Sequence, residues 1–282
     1  MKKRLFLFAA YDKDGVVGPS LLWYVKALSK IGDVVLVADN SLAPAEMEKL
    51  EPWCAYCSGC SHGEYDFGSY KRAFSWAKDN LELSSYDYIY LVNDSVYGPL
   101  SELYPYIIQM EALGTEAFSF VLNPDRRHAH LQSWFIGLQE SVASQPWFEE
   151  FLMSVSKEES KTDVCVKYET GLTRLLKSNG VSFDALLKLS GRKIYNDVRK
   201  LYLMDFPFVK KVSFTRHNGS LGRQLLYVLD RVSDECREMI LQDAQRTLGA
   251  GYVDWLLCRN PFEIARRYMG YLAVKLGLRR TS

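Results

Sequence analysis

Three short apolar runs constrain the architecture more than anything else in this sequence. They are Leu5 to Ala10, the VVLVA segment between Asp33 and Asp39, and the aromatic and β-branched run 86-YDYIYLV-92. Their apolar cores do not alternate with polar residues, so each reads as a strand covered on both faces. Helix-spaced apolar positions lie between them. Leu21, Tyr24, Val25, Leu28 and Ile31 mark one face of a helix that starts near Pro19 and stops at Gly32. Ala43 to Leu50 reads as a short helix and 51–65 as an irregular, Cys-rich loop. Phe67, Tyr70, Phe74, Ala77 and Leu81 mark a further helical face, with Asp66 as its expected N-cap. A helix from about Ser101 to Ala112, a strand from Glu116 to Leu122 and another strand in 131-LQSWFIGL-138 extend the alternation. The pattern predicts an α/β fold with a mainly parallel central sheet flanked by helices.

From about residue 139 the spacing turns helical, with segments near 145–155, 169–179, 192–203, 217–231, 234–247 and 254–276. The expected division is an α/β domain over 1–190 and a helical C-terminal region over 191–282 that packs on it. A chain of 282 residues can bury one large core with a smaller lobe beside it. Formal net charge is +1, which gives no global electrostatic case for nucleic acid. Lys2-Lys3-Arg4 ahead of an apolar run resembles the start of an export signal. The run ends at Ala10, short of the roughly 7–15 residues such a signal needs, so a strand in a cytoplasmic protein is the expectation. No stretch approaches the roughly 20 apolar residues of a membrane span. Cys54, Cys57 and Cys60 form C-x2-C-x2-C with His62 just beyond, a spacing compatible with a metal site or with reduced loop thiols.

In open α/β sheets ligands gather at the carboxyl ends of strands. Those ends carry Tyr11, Asp12 and Asp14; Asp39 and Asn40; Asn93, Asp94 and Ser95; then Asn123, Asp125, Arg126, Arg127 and His128. In 64-EYDFGSYKRAF-74, Asp66, Gly68 and Ser69 stand at a helix start with Lys71 and Arg72 one turn on. A helix N-terminus with nearby cations suits a diphosphate; a capped amphipathic helix gives the same pattern.

The segments FAAYDKDG, VVLVADN, EYDFGSYKRAF, YIYLVNDSVYGPL, HLQSWF, YETGLTRLLKSNG and FPFVKKVSF occur in this order. Together, over about residues 4–230, they resemble the rhamnan synthesis protein F family. That resemblance implies a glycosyltransferase related to the GT-A fold. It would move L-rhamnose from dTDP-rhamnose onto a cell-surface polysaccharide or a lipid-linked glycan. GT-A enzymes hold a divalent metal with an Asp-x-Asp-like motif after a central strand. The corresponding place here reads Asn93-Asp94-Ser95, so Mg or Mn would find only the Asp94 carboxylate. Without metal, Asp94 would contact donor-sugar hydroxyls, and as a bare turn residue it would bond its own backbone.

On the same resemblance Tyr11 would stack on a pyrimidine and Asp12 accept from base or ribose. Asp39 and Asn40 would close that side, and Lys71 and Arg72 would answer the diphosphate. Glu169, ahead of Leu172, Leu175 and Leu176, is the candidate base for an inverting transfer, or an acidic residue that favours a helix N-terminus. His128, His130, Gln132 and Ser133 would lie between donor and acceptor. His217-Asn218-Gly219 reads as a helix N-cap. In 264-IARRYMGYLAVKLGLRR-280, Ile264, Tyr268, Tyr271, Leu272 and Leu276 share one side, with Arg266, Arg267, Lys275, Arg279 and Arg280 as a basic rim. Such a helix can lie on the cytoplasmic face of an anionic membrane or dock on its own domain. Two other functions fit the same residues: a non-catalytic carbohydrate-binding or assembly subunit, and a transferase using a UDP- or GDP-sugar.

Overall fold

The computed structural model describes residues 2–125, 129–216 and 220–276. The chain forms two compact units, one of residues up to Asp94 with Glu102–Gly191, the other of Ser95–Ser101 with the chain from Arg192 onward. In the first unit β1 (Arg4–Ala10), α1 (Pro19–Ser29), β2 (Asp33–Ala38), α2 (Pro44–Met47), β3 (Tyr56–Gly59), α3 (Tyr65–Asn80) and β4 (Tyr88–Asn93) follow one another. After β5 (Val96–Tyr97), which belongs to the second unit, come α4 (Tyr104–Glu111), β6 (Ala117–Asn123), β7 (His130–Leu131) and β8 (Phe135–Gln139). Then α5 (Glu140–Ala143), α6 (Pro146–Met153) and α7 (Lys161–Val164) lead through a π-helical turn (Cys165–Glu169) into α8 (Thr170–Ser178). β9 (Phe183–Lys188) completes the unit.

The eight-stranded sheet runs β3-β2-β1-β4-β8-β6-β7, with β9 also paired to β6. Its half β3-β2-β1-β4 is wholly parallel. β8 runs antiparallel to both β4 and β6, whereas β9 is parallel to β6. Side chains alternate along each strand, so Leu5, Leu7 and Ala9 face α3, where Phe67, Tyr70, Ala73, Phe74 and Ala77 cover them. Burying a Phe of this kind contributes roughly 1.5–3 kcal/mol. Phe6 and Phe8 point to the opposite layer, against Tyr90 and Tyr24. Gly137 in β8 is required by crowding, because a Cβ there would enter the rings of Phe118 and Tyr90. Arg4 is fully buried and forks onto Glu111 at 2.6 and 2.9 Å, and Tyr90 donates to the same carboxylate at 2.8 Å.

In the second unit β10 (Val209–Lys210) pairs antiparallel with β5. The helices are α9 (Lys193–Asn196), α10 (Val198–Leu203), α11 (Leu221–Leu229), α12 (Asp234–Leu248), α13 (Ala250–Leu256) and α14 (Pro261–Lys275). Ser233 caps α12 by accepting from Cys236 N, with Asp234 and Glu235 in the first turn.

Several elements differ from the sequence expectation. The loop 51–65 contains β3, a four-residue edge strand too short and too polar to announce itself. β9 lies where only helices are expected. The segment 131–138 divides into β7 and β8, and 254–276 into α13 and α14, since Pro261 starts a new helix. Asp66 is not an N-cap: Glu64 holds that position without a side-chain bond, and Asp66 sits inside the first turn.

Candidate functional site

The carboxyl ends of β1, β2 and β4 end side by side. Ala9 is in register with Asn93, and Ala10 with Ala38. Asp94 N donates to Ala9 O at 3.2 Å, and the Asp94 carboxylate accepts from Tyr11 N at 3.2 Å. Asp39 N donates to Ala10 O, and Asn40 Oδ1 accepts from Asp12 N at 2.9 Å. Asp12 in turn accepts from Asp14 N at 3.0 Å and Val16 N at 3.3 Å, which closes the first loop as an Asx turn. The ring of Tyr11 is left 59% exposed above this edge.

A second group of bonds shapes the entrance to α3. Asp39 Oδ1 accepts from His62 N and Gly63 N, both at 2.8 Å, and Oδ2 accepts from Tyr65 N at 3.2 Å. These bonds hold Tyr65 at φ 57°, a left-handed conformation that is strained for an aromatic residue. His62 Nδ1 accepts from Glu64 N at 3.1 Å, so the ring proton belongs on Nε2, which donates to Ser69 Oγ at 3.1 Å. Asp39, His62 and Ser69 thus follow the order of a nucleophile triad. The proton is on the wrong nitrogen for that role, and Ser69 is fully buried. The array is a brace. Burial holds the His62 imidazole below its ordinary pKa, against the opposing charge of Asp39.

Lys71 and Arg72 face this brace. Arg72 donates to Glu64 at 2.6 Å and to Gly68 O; Lys71 donates to Val155 O at 2.7 Å and stands 3.8 Å from Glu64. Burial works against the Glu64 carboxylate, but the hydrogen bond and charge of Arg72 hold it below its usual range. Gly68 N donates to Glu64 O, and a Cβ on Gly68 would meet Glu64 and the His62 ring, so glycine lets the loop fold back on the helix.

A continuous polar chain then crosses the site. Asn93, 3% exposed, donates to Asp66 Oδ2 at 2.8 Å, and its side chain lies beside the Tyr70 hydroxyl. Tyr70 donates to Ser133 O at 3.0 Å, while Ser133 N and Oγ both donate to Glu169 Oε1 at 2.8 and 3.1 Å. Burial, with the charge of Asp66 behind it, pushes the Tyr70 hydroxyl well above its ordinary pKa. Tyr70 links the Asn93 strand end to Glu169, and its sequence signal was only a tyrosine among core-spaced apolar residues. Glu169 lies at the end of the π-helical turn, just ahead of α8.

Gln132 is buried and accepts from Trp134 Nε1, and His130 pairs with Asn123 in β7 against β6. Ser95 belongs to the second unit, where its hydroxyl accepts from Lys210 Nζ at 2.7 Å. Arg126, Arg127, His128 and His217-Asn218-Gly219 lie outside the described residues. Among the described residues no three His, Cys, Asp or Glu side chains are placed to hold a metal ion. Within the cysteine motif only Cys57 lies in β3, with Cys54 before the strand and Cys60 after it. Cys54 and Cys57 hydrogen-bond each other, which lowers the Cys57 thiol and raises that of Cys54.

Three of the solved structures that resemble this chain illustrate the likeness. A protein described as a nucleotide-diphospho-sugar transferase from Desulfovibrio desulfuricans G20 matches with a TM-score of 0.44 and 14% identity, covering 95% of this chain and 99% of that one. Residues 1–349 of TarS from S. aureus match at 0.36 and 12%, over 97% of this chain and 73% of that one. A cytidylyltransferase from Leptospira borgpetersenii matches at 0.37 and 14%, over 71% and 85%. All three are remote likenesses of fold, and no residue role rests on them. No curated protein matches in sequence. Residues 34–273 match the sequence profile of rhamnan synthesis protein F. That range omits the first strand and its FAAYDKDG end, and extends through most of α14. It covers well over half the sequence, and the chain belongs to the rhamnan synthesis protein F family.

Proposed function

We propose that the chain is a glycosyltransferase that moves a sugar from a nucleoside diphosphate onto a glycan, with L-rhamnose on dTDP as the donor. The observation that carries the proposal is the polar chain Asp66–Asn93–Tyr70–Ser133–Glu169. It ties a partly exposed carboxylate, Glu169, to the strand end that also carries Asp94, Asp12 and Tyr11. Tyr11 offers an exposed ring on which a pyrimidine stacks. Asp12 and Asn40 shape the loop beneath it, and Asp94 takes hydroxyls of the donor sugar. Asp39, His62 and Ser69 hold the α3 entrance in place. Lys71 and Arg72 act through Glu64 on the same loop, which gives them a positioning role in addition to any contact with diphosphate.

The transfer is an inverting displacement. An acceptor hydroxyl attacks the anomeric carbon as Glu169 takes its proton, and the bond from that carbon to the diphosphate oxygen breaks. The nucleoside diphosphate leaves with the electron pair. Family membership supports the glycan chemistry, and rhamnose follows from the family's name alone. A second reading has its own support: both Glu169 bonds run to Ser133, which suits a purely structural carboxylate in a non-catalytic, glycan-binding subunit.

Thermal stability measured with dTDP, UDP, GDP and their sugar conjugates, with and without Mn, tests the proposal. A ligand at 100 times its dissociation constant adds about 2.7 kcal/mol. A dTDP-selective shift supports the rhamnose donor, and a shift only with Mn indicates recognition of a metal-carried diphosphate. Stability unchanged by every nucleotide contradicts the transferase reading.

A further inference from the structure

The α14 helix divides its faces in a way the sequence pattern did not resolve. Arg267 turns inward: its guanidinium binds the carbonyls of Trp255, Leu256 and Cys258 at the C-terminal end of α13, and Ile264 and Tyr271 on the same side are half-buried. The opposite side is apolar and open. Phe262, Met269 and Leu276 are 85%, 66% and 70% exposed and recur every seven residues, so they form one stripe along two turns of helix per step. Exposed Ala265 lies within the stripe, and Tyr268, 49% exposed, borders it. Of the residues grouped together by sequence, Tyr268 and Leu276 are exposed whereas Ile264, Tyr271 and Leu272 are half-buried. No helix among the described residues is long and apolar enough to cross a membrane.

Charge identifies what this stripe fits. The sequence from Pro261 onward carries Arg266, Arg267, Lys275, Arg279 and Arg280 against the carboxylate of Glu263 alone. The chain as a whole is nearly neutral at +1, so the positive charge is local to the segment with the exposed stripe. A helix with an apolar face, a basic flank and an aromatic at the border is built to lie in the interface of an anionic bilayer. We propose that α14 is a monotopic membrane contact. Phe262, Met269 and Leu276 enter the headgroup boundary, and Arg266, which is 73% exposed and pairs with Glu263 at 2.8 Å, exchanges that partner for anionic lipid on the flank. Each basic residue at an anionic surface is worth about fivefold in partitioning, and the contact is salt-sensitive. The inference is independent of the proposed sugar transfer.

The test is co-sedimentation of the full chain with vesicles of phosphatidylcholine alone or with one-third phosphatidylglycerol, at low and high salt. The expected result is binding to the anionic vesicles only, weakened at high salt. A variant with Phe262, Met269 and Leu276 all changed to Ser should lower bound protein at least tenfold while circular dichroism and melting stay as in wild type. Arg266→Gln should lower it about fivefold. Absence from anionic vesicles overturns the proposal. Equal binding by the serine variant does so too. A wild-type dimer in light scattering that the serine variant loses, without lipid binding, assigns the stripe to a second copy and also overturns it.

Discussion

Exchanging Glu169 for Gln tests whether that carboxylate acts as a base or only as a brace. In the structure Glu169 Oε1 accepts from Ser133 N at 2.8 Å and Ser133 Oγ at 3.1 Å, and the amide oxygen of Gln can accept both. The loss is one of charge. Hydrogen bonds to charged groups contribute about 1.5–3 kcal/mol and neutral ones about 0.5–1.5. Two weakened bonds therefore cost roughly 2–3 kcal/mol. A domain of about 190 residues then melts some 4–12 °C lower. Removing a general base costs about 100- to 10,000-fold in turnover. The assay is release of dTDP from saturating dTDP-rhamnose with lipid-linked glycan as acceptor, at a temperature where both proteins are folded. The expected result is at least a hundredfold loss in kcat with KM for the donor little changed. A variant that melts lower yet turns over within tenfold of wild type refutes the base assignment and leaves Glu169 as the acceptor that holds Ser133.

The brace around His62 makes stability depend on pH. Its folded pKa is depressed by burial, so the unfolded chain holds more protons between that value and about 6.5. Stability should be full above about pH 6.5 and fall as pH drops from there toward the folded pKa. His62→Gln, which keeps a donor for Ser69 and an acceptor for Glu64 N, should flatten melting temperature between pH 7 and 5. That window lies above the titration range of Glu64, whose carboxyl is held low by Arg72. Unequal treatment of a buried pair should be visible at Arg4: Arg4→Met strands the Glu111 carboxylate beside Tyr90 and should cost about 3–5 kcal/mol in denaturant unfolding. Tyr70→Phe removes the hydroxyl between Asn93 and Ser133 O and should cost about 1–3 kcal/mol. It should also lower turnover with Glu169 in place, which a purely structural tyrosine would not do once the protein is folded.

The parallel half of the sheet was legible because β1, β2 and β4 are covered on both faces and so read as unbroken apolar runs. β3 was not, since an edge strand of Tyr-Cys-Ser-Gly has no buried run to display. β8 was visible as a strand, but its antiparallel direction depends on pairing with β4 and β6, which local spacing does not encode. At the site, the strand-end residues Tyr11, Asp12, Asn40 and Asp94 come together because parallel register alone dictates it. The uses of Asp39 and Asp66 were hidden. Both looked like ligand groups or caps, and their bonds run to His62, Gly63, Tyr65 and Asn93, partners distant in sequence. Lys71 and Arg72 read from sequence as diphosphate-facing or solvated cations, because Glu64, their partner, stands back at the N-cap of α3 and Val155 lies far along the chain.

The most direct measurement compares wild type with Asp94→Asn for release of nucleoside diphosphate from dTDP-rhamnose, UDP-sugars and GDP-sugars in the presence of lipid-linked glycan. Asn can still accept from Tyr11 N, so the strand ends stay clamped while the carboxylate is lost. Wild type should show acceptor-dependent release from dTDP-rhamnose, and the variant at least a hundredfold less. Failure of the wild type to consume any sugar nucleotide, or equal rates for the two proteins, would contradict it.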